Sequence, residues 1–136
     1  MLFLSVLGLS AGLVNIHIAP TNDYRVGGLP PVKVKIYYGV QSLVYTNSVV
    51  FSMNTTIDTN TVNVYEPFNC LNMLVTDRIK HTIVGLKAGQ TFYYGYSYIN
   101  SNNVESSMVN NSVCGFVVTN NSDAPFPPTY LRVIAN

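Results

Sequence analysis

Apolar and polar residues alternate with a period of two over several short stretches of this chain. Val14-Asn15-Ile16-His17-Ile18 alternates strictly and stops at Ala19-Pro20. Val32-Lys33-Val34-Lys35-Ile36-Tyr37-Tyr38-Gly39 does the same, with both lysines on one side. Such runs are half-buried strands, apolar face inward and polar face outward. Leu43 to Met53, Thr61 to Tyr65, His81 to Leu86, Thr91 to Ile99 and Val113 to Thr119 read as further strands. Asn-Asp, Gly-Gly and Pro-Pro within 21–31, Lys87-Ala88-Gly89-Gln90 and Asn100 to Asn103 mark turns between them. Pro67 to Arg78 carries no clear period, and no segment sustains a helical one. About seven short strands separated by turn signals predict an all-β antiparallel sandwich.

The apolar stretch 1–14 leaves two readings open. It lacks the basic residue that opens a signal peptide and is shorter than the ~20 residues of a membrane-spanning helix. Gly8 and Gly12 form a GxxxG spacing that suits helix packing. Phe3-Leu4-Ser5-Val6-Leu7 reads instead as a first strand.

Composition agrees with a β fold. Of the 136 residues only 10% are charged, and the formal net charge is +1. Long surface helices need more Lys and Glu than this. No basic patch suits nucleic acid, and no acidic run suits a disordered tail. One domain over 1–121 is expected, followed by a Pro-rich linker and an extra strand over 122–136.

Three stretches, in order, resemble the fibronectin type III family of immunoglobulin-like sandwiches. Ser10-Ala11-Gly12 leading into Val14 to Pro20 is similar to that module's second strand with its Ala-Pro ending. Pro30 to Gly39 is similar to the third strand with its Tyr-Tyr-Gly ending. Leu86-Lys87-Ala88-Gly89-Gln90-Thr91-Phe92, then a strand, then Asn100, resembles the pattern Leu-x-Pro-Gly-x-x-Tyr, strand, Asn. The chain departs from the family in having no Trp, with Ile18 at that position, in Phe92 at the corner tyrosine, and in Ala88 at the usual proline. A missing corner hydroxyl bond costs on the order of 1 kcal/mol. A Cys70–Cys114 bridge would offset it, while two buried free thiols are the plainer alternative.

The linker Ser122-Asp123-Ala124-Pro125-Phe126-Pro127-Pro128 resembles those between tandem modules of this family, which feed the next module's first strand. Tyr130-Leu131-Arg132-Val133-Ile134 repeats the pattern of Phe3 to Leu7: aromatic, Leu, polar, Val, aliphatic. A lone strand needs partners for its amides. The resemblance therefore implies a tandem array, or a tail that adds as a strand to a neighbouring subunit; a tail folded onto its own domain is the third option. Tyr130, Leu131, Val133 and Ile134, meeting an edge that includes Phe3, Leu4 and Val6, are the expected assembly strand residues.

Candidate chemistry is sparse. His17 and His81 belong to no HxH or HExxH spacing, the cysteines to no CxxC, and the carboxylates to no evident pair. Neither a catalytic residue nor a cofactor or metal is expected. Asn54, Asn110 and Asn120 open N-glycosylation sequons that become acceptors if the chain is exported. Alternation turns Phe92, Tyr94, Tyr96 and Tyr98 one way, which the family resemblance implies is the core side, with Tyr93 outward, where it offers a platform for glycan ligands. The expectation is an extracellular or surface structural and adhesive module, a homo-polymer or a neighbour of like modules. The alternatives are an accessory non-catalytic module of a secreted hydrolase and a glycan-binding module.

Overall fold

The computed structural model describes residues 11–20, 24–53, 56–66, 70–110 and 114–120. Among them are ten strands and no helix, and all pairing within sheets is antiparallel. The all-β expectation holds, and Gly12 lies in a strand, not in a GxxxG helix.

The alternating stretches form the central strands. β1 (Ala11–Ile18) pairs along its whole length with β6 (Ile79–Lys87). β2 (Pro31–Gly39) lies between β3 (Asn47–Ser52) and β7 (Thr91–Asn100). β8 (Val109–Asn110) and β9 (Phe116–Val117) both pair with β7, and β10 (Thr119–Asn120) pairs with β1. β4 (Val62–Glu66) and β5 (Leu71–Val75) make a separate two-stranded sheet.

One core joins the inner faces of the two larger sheets. Val14, Ile16 and Ile18 of β1 and Ile83 of β6 cluster with Val34 and Ile36 of β2 and with Phe92 and Tyr98 of β7; Val26 and Val118 complete the cluster. Val34 and Ile36 are fully enclosed, so each contributes roughly 1.5–3 kcal/mol of burial. Tyr38, Tyr94 and Tyr96 pack around the cluster, with Tyr38 and Phe92 rings 5.3 Å apart and stacked. These rings occupy the core of a chain that lacks tryptophan.

Three strand expectations are corrected. The irregular stretch 67–78 contains β5. Leu43 to Met53 is strand only from Asn47, because Gln41–Val44 closes a turn with Leu43 at φ 61°. The expected last strand is split: β9 sits on β7 and β10 on β1, with the buried Val118 between them.

Backbone bonds pin the corner that leads into Phe92. The Gly89 N–H donates to the Val118 carbonyl (2.9 Å) and the Val118 N–H donates to the Gln90 carbonyl (2.8 Å). Gly89, at φ 85°, supplies the left-handed residue of that turn.

Candidate functional site: a groove between two strand edges

β10 reaches β1 only at Gly12 and Leu13. Gly12 permits this approach, since a Cβ there would stand 2.4 Å from Val118 Cγ1 and 2.9 Å from the Thr119 carbonyl. From Val14 to Ile18, β1 has no strand on its outer side among the described residues. In a strand paired on one side, alternate residues direct their N–H and C=O groups to the other side.

Two adjoining cavities of about 360 and 190 Å³ lie along that edge. They share Ile16, His17, Val64 and Tyr94, so they form one groove. The larger is lined by consecutive residues of β1, Leu13 to His17, and consecutive residues of β4, Val62 to Tyr65. A strand seen face-on offers every second residue, whereas consecutive residues line a space that a strand meets edge-on. Tyr94, Tyr96 and Tyr98 of β7 also line it, with Met73, Val75 and Arg78 at the far end. Among the described residues the lining contains no carboxylate.

The β4–β5 sheet pairs with no other strand among the described residues. Its position is set at its ends. Asp58 and Arg78 exchange backbone bonds at the base (2.7 and 3.2 Å), the Thr61 and Thr76 hydroxyls bond to each other beside it, and Cys70 is disulfide-bonded to Cys114, Cα atoms 5.6 Å apart. The two cysteines are therefore bonded, not free thiols.

Of the remaining site residues, Phe3, Leu4, Val6, Tyr130, Leu131, Val133, Ile134 and Asn54 lie outside the described residues. Asn110 stands opposite Gly95 in the β7–β8 pairing and Asn120 opposite Gly12. Tyr93 is half-buried, and its ring lies against Gly115, where a Cβ would sit 2.7 Å from Tyr93 Cζ. The outer face of β7 is also more enclosed than alternation implies: Ser97 is inaccessible and donates to Glu105 Oε2 (2.6 Å), which the Tyr37 hydroxyl also contacts. Those two bonds, Ser97's first, lower the Glu105 pKa.

The histidines are single groups. His17 lines the groove, its pKa lowered chiefly by burial, with Asp58 opposing. His81 is buried, stacks on Phe51 at 4.4 Å, and has no hydrogen-bond partner for Nε2; burial lowers its pKa. Among the described residues, no group of three or more His, Cys, Asp or Glu could hold a metal ion, and no helix is long and apolar enough to cross a membrane.

What the geometry defines is a groove between two strand edges on an antiparallel all-β scaffold. No known protein family, curated protein or solved structure matches the chain.

Proposed function

We propose that this chain is an extracellular structural and adhesive module, a fibronectin type III-like (immunoglobulin-like) sandwich assembled end to end by strand addition into a surface filament or tandem array. The observation that carries this reading is the edge of β1. The order β3-β2-β7-β8 in one sheet and β10-β1-β6 in the other is compatible with that module's strand order, in which the first strand lies beside the second on the side away from β6, here covered by β10 only at Gly12 and Leu13. On this reading the second strand is β1, and between Val14 and Ile18 that side carries no strand among the described residues. Two segments of the sequence, Phe3 to Leu7 and Tyr130 to Ile134, carry the matching pattern. One strand too many for one slot is what head-to-tail growth requires. The Cys70–Cys114 bridge suits an oxidising, extracellular setting.

The test is removal of 130–136. The truncated chain is expected to keep its far-UV dichroism and cooperative unfolding but to run as a monomer and form no filaments by negative stain. Filaments forming normally without those residues would refute strand addition.

A further inference from the structure

Building on the end-to-end reading, we propose that the groove between β1 and β4 is the acceptor site of assembly and that its occupant is Tyr130 to Ile134 of a second copy of this chain. Three observations select that occupant.

The first is length and pattern. The stretch of β1 from Val14 to Ile18 is matched residue for residue by Tyr130 to Ile134. With Leu131 and Val133 turned to the tyrosine-lined side, alternation turns Arg132 outward. Leu131 and Val133 then meet the apolar part of the lining, and Arg132 stays clear of Arg78, which also lines the groove.

The second is direction. β10 runs antiparallel to β1, with Leu13 opposite Thr119 and Gly12 opposite Asn120. A chain leaving Asn120 therefore heads past the N-terminal end of β1, away from Val14 to Ile18. Entering its own groove would require a full reversal within the linker. Pro125, Pro127 and Pro128 oppose that reversal, because each fixes φ and favours extended backbone. A second molecule's groove needs no such reversal.

The third is the double edge. Main-chain bonds supply most of the affinity when a strand is added to a sheet. A strand here would have β1 on one side and β4 on the other, both presented edge-on. It would join the β4–β5 pair to the β10-β1-β6 sheet.

The experiment places benzoylphenylalanine at position 133, on the groove-facing side of the added strand, in the full-length chain. Equal amounts of ¹⁵N-labelled and unlabelled protein are mixed, assembled, irradiated and mapped by mass spectrometry. Crosslinks joining labelled to unlabelled chains at the groove residues, for example His17, Val64 or Tyr65, are the expected result. The companion variant Leu131→Asp, altered only in the tail, should lose at least tenfold in mixed-isotope crosslink yield.

Crosslinks confined to single chains would overturn the proposal, as would intermolecular ones falling elsewhere or groove crosslinks undiminished in Leu131→Asp. A reciprocal crosslinker at Val64 that captured only Phe3 to Leu7 would overturn it in favour of the chain's own first strand. Filaments that assemble while crosslinks miss the groove would leave the end-to-end reading standing without this site. Failure to assemble at any concentration would remove both.

Discussion

Asn100 ties together two loops at one end of the fold, and replacing it tests whether a single buried amide organises that end. Its side chain is almost inaccessible. Nδ2 donates to the Val26 carbonyl (2.6 Å), and Oδ1 accepts from the backbone N–H groups of Asn102 (2.8 Å) and Val104 (3.0 Å). Asn100→Ala removes three hydrogen bonds, each worth about 1 kcal/mol net. Two terms reduce the sum: Asn102 and Val104 are exposed and can rehydrate, and the Val26 carbonyl still accepts from the Leu29 N–H (3.1 Å). A destabilisation of about 2 kcal/mol remains, which moves the urea midpoint by about 1 M at an m-value near 2 kcal/mol/M. Asn100→Asp separates donor from acceptor. Its carboxylate keeps the bonds to Asn102 and Val104 but points an oxygen at the Val26 carbonyl, so it should be less stable than Asn100→Ala at pH 7 and recover as acid protonates it. A loss below ~0.5 kcal/mol for the alanine variant, or an aspartate variant as stable as the native chain at pH 7, would refute the reasoning.

Loss of the Cys70–Cys114 bridge, which spans 44 positions, should cost about 4 kcal/mol by loop-closure entropy; urea unfolding of the double serine variant measures it, and a change under ~1 kcal/mol would discard the entropic account. Burial holds the pKa of His81, and of His17, below the usual 6.5. The folded chain therefore binds fewer protons than the unfolded one, and the stability complete above about pH 6.5 should fall as the pH drops through the lowered values. His81→Leu should flatten much of that slope without loss at pH 7, since it removes a buried unpaired nitrogen; an unchanged slope would count against His81. Burial chiefly raises the Tyr98 pKa to about 12, with Tyr96 and Tyr24 adding to it. The stability this hydroxyl contributes should be full below about pH 10 and decline towards pH 12, and ultraviolet titration of native protein against Tyr98→Phe should show one late phenol missing.

The sequence reading succeeded where one face of a strand is buried. β1, β2 and β6 bury alternate residues over most of their length, so their period is visible in the order of amino acids, whereas β7 alternates in residue type but is buried on both faces towards its end. β5 breaks that condition: Leu71, Met73 and Leu74 are all exposed, and adjacent apolar residues erase the alternation. The last strand misled for a different reason. Phe116 to Asn120 is extended throughout, but it changes partner at Val118, and a change of partner leaves no mark in residue type. The groove was illegible for the same cause. Its walls are backbone edges of β1 and β4, far apart in sequence, and an unpaired edge has the same residues as a paired one. The repeated pattern at Phe3 and Tyr130 led to the expectation of an added strand, without saying where it would sit.

The division of the last strand and the disulfide bear on the same feature. Had 116–120 continued along β7, it would have left the outer side of β1 without β10; had it paired fully with β1 in the same register, it would have covered Val14 to Ile16 as well. The crossover at Val118, admitted by the missing side chain of Gly12, covers Gly12 and Leu13 and stops. The Cys70–Cys114 bridge meanwhile ties the β4–β5 turn to the segment just before β9. With the Asp58–Arg78 bonds at the other end, it holds β4 beside β1 although no ladder joins them. The two walls are thus positioned by covalent and terminal contacts, with no strand pairing between them among the described residues. In this arrangement reduction of the disulfide should weaken strand capture through loss of the second wall, even where the core of β1, β2, β6 and β7 stays folded.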